Sequence, residues 1–301
     1  MDTRSIDRKG ILAYLLITFG FTYAIELALI LPGFRADGVP QFLGQLVIAG
    51  VMWVPTLAAL LTLKLVTHEP LRCLNLRFGR LRPYLTAMLA VPAAYALIYG
   101  LTWLLSLGQP DWQMAYFRSI FTVAGAEVPA MPAPNILWPI LFLLSSLAAP
   151  FINSLFGLGE EIGWRGFLLP RLLPLGKRRA YGLLGIIWGL WHAPLILVGF
   201  NYPGEPILGI VWMVGLTTAL GVYINELTLR ERSTILAGWL HGLFNSQAYG
   251  IWRVLFPAVN PLIGGVTGLI GMAVWLALGL WEVGRSGATS QRPAAAASAA
   301  H

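Results

Sequence analysis

The 301-residue chain is apolar and poor in charged residues. Hydrophobic residues make up 57% of it and charged residues 11%, whereas charged residues reach about 25% in soluble globular domains. This composition excludes a soluble globular protein and predicts an all-α fold, a polytopic bundle of about eight transmembrane helices. The net charge is +7, but the sequence has no basic patch interleaved with aromatic residues, so we predict no nucleic-acid partner. The single cysteine, Cys73, excludes an intrachain disulfide.

Apolar runs of spanning length recur along the chain, since a transmembrane helix needs about 17–25 residues. The eight runs cover residues 10–31, 42–66, 85–107, 136–158, 180–198, 208–227, 234–249 and 262–281. We therefore predict a cytoplasmic N-terminus at residues 1–9 and an eight-helix membrane domain at residues 10–282. Its motif-bearing core covers residues 136–249, and residues 283–301 are predicted to form a disordered C-terminal tail.

Basic residues alternate between the two sides of the predicted membrane domain. With the N-terminus in the cytoplasm, the side away from the cytoplasm receives only Arg35, Arg118 and Arg253. The other arginines and lysines outside the spans face the cytoplasm, as the positive-inside rule requires. The sequence thus predicts an integral multi-pass protein in the lipid bilayer of a bacterial inner (plasma) membrane, with both termini cytoplasmic.

Several polar side chains fall inside or beside these spans. Glu160 and Glu161 follow the fourth run, His192 lies in the fifth, and His241 and Asn245 share one face of the seventh, one helical turn apart. Counted from the cytoplasmic ends, the last three lie about 12–18 Å deep, in one layer of the cytoplasmic half of the membrane. Ionisable residues at this depth are costly, so these five residues form a candidate site.

The fourth run must bend if Glu160 is to join this layer, because a straight helix from residue 136 would carry it about 36 Å, to the interface. Pro150, with glycines following it, predicts such a kink or break. Other polar residues have structural interpretations. Asn225 and Glu226 are predicted to reach the cytoplasmic interface, and Glu26 to make a structural hydrogen bond.

Three motifs occur in order along this core. They are EEIGWRG, the aromatic Trp188 four residues before His192, and the pair His241 and Asn245. The combination resembles the CPBP intramembrane protease family, which unites type II CAAX prenyl endopeptidases with bacterial Abi-type proteins. The family motifs read Glu-Glu-x-x-x-Arg, Phe-x-x-x-His and His-x-x-x-Asn, so Trp188 stands where phenylalanine is usual. The resemblance implies an intramembrane peptidase with an eight-span layout.

Peptide hydrolysis by water calls for a base beside the attacking oxygen and for donors aimed at the developing oxyanion. Glu160, the first glutamate of the motif, is the predicted general base. The resemblance assigns His192 to the same water molecule, and His241 with Asn245 to the oxyanion.

Three further residues are predicted to support the site. Glu161 lies four residues before Arg165, the favourable orientation for a helical ion pair, so both are interpreted as supports that hold the motif's geometry. Trp188 is predicted to pack against the site.

Two alternatives remain open at this stage. Glu160, His192 and His241 form a plausible zinc-ligand set with an open position for water, although no H-E-x-x-H helix is present, and metal-free catalysis without a cofactor is favoured. The same polar layer also suits a non-catalytic immunity, binding or transport protein. For an enzyme, the predicted partner is a membrane-associated peptide or protein substrate, whose identity the sequence does not specify.

Overall fold

The computed structural model describes residues 6–33, 41–121 and 131–290. Regular structure within these ranges is helical, apart from an isolated bridge between Gly108 and Val259, which confirms the predicted all-α class. Residues 1–5 of the predicted cytoplasmic N-terminus and residues 291–301 of the predicted tail lie outside the described ranges.

The helices follow one another with short connections. They are α1 Arg8–Gly33, α2 Gln41–Val51, α3 Val54–Thr62, α4 Leu81–Leu104, α5 Ala115–Ile120, α6 Pro134–Leu143, α7 Ala149–Glu161, α8 Leu169–Leu172, α9 Lys177–Trp191, α10 Ala193–Leu197, α11 Pro206–Glu231, α12 Thr234–Ala248, α13 Ile251–Leu255 and α14 Leu269–Ser290. Wider π-helical turns follow α3, α6 and α7, at Leu63–Thr67, Leu144–Ala148 and Ile162–Leu168.

Six helical stretches in the described residues are long and apolar enough to cross a membrane, and they match six of the eight predicted spans. Large apolar side chains such as Leu89 and Leu104 point outwards, as expected of surfaces that contact lipid. The chain is therefore an integral multi-pass membrane protein. The predicted fifth and seventh spans are α9 and α12, which have 15 residues each.

The helix of the predicted fifth span is interrupted at His192, between α9 and α10. Pro194 lies two residues further on, and proline has no backbone N–H and clashes with the carbonyl group of the preceding turn. The interruption therefore has a local cause in the sequence, and it places the histidine at a helix end rather than within a regular helix.

The fourth span differs from its predicted limits, because the helical stretch continues from Pro134 to Leu175. Two π-helical segments stand before and after α7 within this stretch. Pro150 removes one backbone donor at the start of α7, next to the first of these segments. Glu160 and Glu161 consequently end α7 but lie within a longer helix, with chain continuing on both sides.

Helices α7 and α12 lie unusually close, because glycines line their contact. A Cβ atom at Gly157 would stand 3.0 Å from the Gly238 carbonyl oxygen and 3.0 Å from the Cβ atom of His241. A Cβ atom at Gly242 would overlap Ser154. Small residues let helix backbones approach in this way, and the approach brings the glutamate pair beside His241.

Helix α14 extends to Ser290, so residues 283–290 are helical rather than part of a disordered tail. Charged contacts support this helix at the point where the tail was predicted to begin. Glu282 accepts hydrogen bonds from Arg230 on α11 and, at 3.2 Å, from Arg285 one turn further along α14.

Candidate active site

One cavity of about 800 Å³ is lined by all four residues predicted to be catalytic. Glu160 comes from the end of α7, His192 from the junction of α9 and α10, and His241 and Asn245 from α12. These residues are as much as 85 positions apart in sequence, so the bundle is what brings them together. Four of the five polar residues of the predicted candidate site therefore line one cavity, and Glu161 does not.

Two indole groups hold the carboxylate of Glu160, which is only 2% exposed. Its Oε2 atom accepts hydrogen bonds from Trp188 Nε1 at 2.8 Å and from Trp164 Nε1 at 3.2 Å. Its Oε1 atom lies 3.9 Å from Nε2 of His241. One carboxylate oxygen is thus fixed by two donors, while the other lies near the ring of His241 on the wall of the cavity.

Glu161 belongs to a separate, fully buried cluster behind the cavity. Its Oε1 atom accepts hydrogen bonds from Arg165 at 2.9 Å and from Nδ1 of His241 at 2.9 Å. Arg165 also donates from Nε to Asn225 Oδ1 at 2.9 Å, and its guanidinium lies 4.2 Å from the ring centroid of Trp188. Glu161 therefore reaches the cavity only through other side chains, and its support role stays a prediction.

The hydrogen bonds of the two histidines define which nitrogen faces the cavity. Nδ1 of His192 lies 2.8 Å from the carbonyl oxygen of Trp188, and Nδ1 of His241 lies beside the carboxylate of Glu161. These oxygen atoms accept hydrogen bonds, so both rings carry their proton on Nδ1. Nε2 is left as the atom that each ring presents to the cavity.

The side-chain amide of Asn245 lines the same cavity one turn beyond His241. Within the part of the chain that the structure describes, this amide makes no hydrogen bond. Its two N–H donors are therefore available to a molecule in the cavity.

The cavity extends from these residues towards one end of the bundle. Its deeper walls are apolar and include Val51, Leu216 and Leu220. Its far end is lined by residues 199–203 between α10 and α11, and by residues 257–261 between α13 and α14. Following the helices in order, both loops lie at the end opposite to Arg8 and Lys177, the starts of α1 and α9. The cavity thus points away from the basic loops.

The sequence interpretation missed two contacts of the site. Trp164 was not singled out, although it lies four residues after Glu160, the same spacing that identified Arg165 as the partner of Glu161. Asn225 was interpreted as an interface residue, and this is wrong, because its side chain is fully buried against Arg165. Its neighbour Glu226 contacts the partly exposed Lys177 at 2.8 Å.

Comparisons with known proteins point to one family. A family model described as Type II CAAX prenyl endopeptidase Rce1-like matches residues 135–247, which include every predicted site residue. A protein named CAAX prenyl protease 2, from Methanococcus maripaludis (strain S2), is 40% identical over 114 residues. The alignment covers 36% of this chain and 38% of that relative. The region that carries the site therefore matches an Rce1-like domain, and both similarities support the CPBP and CAAX protease family that the three motifs predicted.

Proposed function

We propose that the chain is an intramembrane endopeptidase that hydrolyses a peptide bond with a water molecule activated by Glu160. The observation that carries the proposal is the meeting of Glu160, His192, His241 and Asn245 on the wall of one cavity. This arrangement places a carboxylate, two imidazoles and an amide around one space within a membrane domain. Peptide hydrolysis uses these groups as proton acceptor, water ligand and oxyanion donors.

The attacking water is proposed to lie between Glu160 and the histidines. The indole donors on Oε2 of Glu160 leave Oε1 to accept a proton from water, and Nε2 of His192 is a second acceptor that orients it. The water oxygen attacks the carbonyl carbon while its proton passes to Glu160. When the C–N bond breaks, Glu160 returns this proton to the departing nitrogen, giving a carboxylic acid and an amine.

The oxyanion of the tetrahedral intermediate is proposed to be held by Asn245 and His241. The amide of Asn245 supplies an N–H donor without any change in its protonation. A neutral His241 has its proton on Nδ1, so it donates from Nε2 only as an imidazolium. The carboxylates of Glu161 at 2.9 Å and of Glu160 at 3.9 Å favour that charged form.

A Glu160→Gln variant tests the proposal directly. Glutamine keeps an oxygen that accepts from the two indoles, so the fold is expected to persist, but it is not a base at neutral pH. We expect cleavage of membrane peptides by the purified protein to fall by about 10²–10⁴-fold. Glu226→Gln is the matched control, because Glu226 is a buried carboxylate outside the cavity.

Cleavage that is undiminished in Glu160→Gln would contradict the assignment. A thermal unfolding curve in detergent shows whether the variant is folded. Transport of a peptide across liposomes without any fragment, in wild-type protein, would favour a carrier over an enzyme. Comparing membrane peptides from cells that hold the wild-type or the Glu160→Gln protein would identify substrates.

Zinc chemistry with Glu160, His192 and His241 as ligands is the competing mechanism. Both histidines present Nε2 to the cavity, as metal ligands do. However, no three His, Cys, Asp or Glu side chains of the described ranges are grouped closely enough to hold a metal ion. This spacing supports metal-free hydrolysis, which we propose. Stoichiometric zinc in active protein, with activity lost on chelation and regained with zinc, would overturn this.

We propose further that the substrate enters from the membrane face opposite to the cytoplasm. The positive-inside rule supports a cytoplasmic start of α1, and the cavity extends towards the other end of the bundle. Ala258 is exposed and lines the opening, whereas Cys73, the single cysteine, lies in the basic loop on the opposite face. A membrane-impermeant maleimide added to intact cells should label Ala258→Cys in a Cys73→Ser background and leave Cys73 of the wild type unlabelled. Labelling of Cys73 alone would show that the protein has the opposite orientation in the membrane.

The relative is named a prenyl protease, and the cavity of this chain has apolar walls. Both observations make a prenylated substrate a specific case to test. We propose a membrane-associated peptide as the substrate class, with prenylation as the point to test. Paired peptides of one sequence, with and without a prenylated cysteine, separate the two cases. A lower KM for the prenylated peptide alone would support recognition of the prenyl chain.

A further inference from the structure

A second cavity, of about 650 Å³, opens between α4, α11 and α14. It lies at the end of the bundle where α4 begins and where α11 and α14 end, which is the end with the basic loops. The catalytic residues do not line it. Its charged lining residues are four arginines and two glutamates: Arg80, Arg82, Arg230, Arg285, Glu231 and Glu282. We call this cavity the arginine crevice.

Buried glutamates fix several of these arginines in place. Glu231 accepts a bidentate pair of hydrogen bonds from Arg80, at 2.8 and 2.6 Å. Glu282 accepts hydrogen bonds from Arg230 and Arg285. The glutamates neutralise two of the four arginine charges, so the charged lining keeps a net charge of +2.

Arg82 is the arginine of the crevice that no glutamate holds. It stands in the first turn of α4 and is exposed, and its guanidinium makes no hydrogen bond or ion pair to any residue in the described ranges. A cation in this position at the membrane interface is available to an anion. The crevice thus combines fixed positive charge with one free guanidinium.

The deeper part of the crevice is apolar. Ala90 lies eight residues beyond Arg82 on α4, about 12 Å further into the bilayer. Leu227 and Leu278 line the same part, and Trp281 stands at the level of the charged groups with its ring 4.8 Å from the guanidinium of Arg285. Tryptophan at this level is typical of the membrane interface. Charge at the interface and apolar walls below it match a headgroup and an acyl chain.

We propose that the arginine crevice binds an anionic phospholipid of the cytoplasmic leaflet. The phosphate would be held by Arg82 and the other arginines, and an acyl chain would lie along Ala90, Leu227 and Leu278. Basic crevices between transmembrane helices on the cytoplasmic side suit anionic headgroups, and a membrane phospholipid is the anion that also fills the apolar part. A free phosphate would leave that part empty, so we commit to the lipid.

Lipid titration followed by native mass spectrometry tests the proposal on the full chain in detergent. The probes are phosphatidylglycerol and phosphatidylcholine with identical acyl chains. We expect phosphatidylglycerol to bind at least fivefold more tightly. Arg82→Ala is expected to weaken this binding about fivefold, the equivalent of about 1 kcal/mol for one arginine near the surface. Arg72→Ala, an exposed arginine on the same face outside the crevice, should have no effect.

Ala90→Phe fills the apolar part without changing charge, and it is expected to reduce phosphatidylglycerol binding as well. Thermal unfolding in detergent identifies any variant that fails to fold, and Arg82→Ala then remains as the test. Equal affinity for the two lipids, or equal loss of binding in Arg82→Ala and Arg72→Ala, would overturn the proposal. So would glycerol 3-phosphate displacing phosphatidylglycerol at equal concentration, because the apolar part would then be irrelevant.

Discussion

Glu160 and Glu161 are neighbours in sequence, but they belong to two regions with different physical character. Glu160 lines the proposed active-site cavity, and its Oε1 atom lies 3.9 Å from Nε2 of His241. Glu161 lies behind it in a buried cluster, where Arg165 and His241 both bond to one of its oxygens. The first region has groups available to a substrate, and the second has groups committed to one another.

The surroundings of the two glutamates match different proposed roles, proton transfer for Glu160 and support for Glu161. A carboxylate that is fixed on one side and available on the other can exchange a proton with a bound molecule. A carboxylate between an arginine and a histidine holds the geometry of both and stabilises positive charge on the ring. The different surroundings of these adjacent glutamates therefore match the proposed roles of base and support within one helical turn.

The sharpest test of the support region is Arg165→Ala. This change leaves Glu161 as a buried carboxylate without its cation, and breaking such a pair costs about 3–5 kcal/mol in free energy of unfolding. Chemical unfolding in detergent measures the loss. Arg72→Ala removes an exposed arginine and is expected to change stability by less than about 0.5 kcal/mol. Equal stability of the two variants would show that the buried cluster is not a support.

The cavity region should respond in the opposite way, with loss of activity and unchanged stability. Asn245→Ala removes an N–H donor proposed to bind the oxyanion, and loss of one such donor costs about 10²–10³-fold in kcat. Asn153→Ala is the control, because the amide of Asn153 bonds to its own helix at Ala149. A change confined to KM in Asn245→Ala would assign the amide to substrate binding instead.

The boundary between the two regions is the indole of Trp188, which bonds to Glu160 and stacks on Arg165. Trp188→Phe keeps an aromatic ring, the type usual in the family, and loses the N–H donor. We expect kcat/KM to fall about tenfold, as for loss of one hydrogen bond to a charged group. Trp164→Phe should cost less, because its nitrogen lies 3.2 Å from Glu160 rather than 2.8 Å. The reverse order would mean that Trp164 sets the carboxylate's position.

Much of the fold and the site follows from patterns in the sequence. Apolar runs predicted the spans, because a helix must satisfy its backbone within lipid. The spacing of His241 and Asn245 predicted a shared helix face, and both line the cavity. The spacing of Glu161 and Arg165 predicted their ion pair, which is present at 2.9 Å.

Contacts between helices could not be predicted from these sequence patterns. Asn225 bonds to Arg165 across 60 positions of sequence, and helix periodicity carries no information about which helices are neighbours. The π-helical segment at Ile162–Leu168 was missed because its cause lies in packing as well as in local propensity. The direction in which the cavity opens depends on loops 199–203 and 257–261, which hold no motif.

The placement of the site on helices far apart in sequence has a consequence for biosynthesis. Glu161 and the histidine that it contacts are 80 residues apart, and at ribosomal rates of about 5–20 residues per second this separation corresponds to about 4–16 s of synthesis. During that interval the emerging chain has its glutamates but neither the second histidine nor the asparagine. The proposed site is therefore incomplete until α12 has been synthesised.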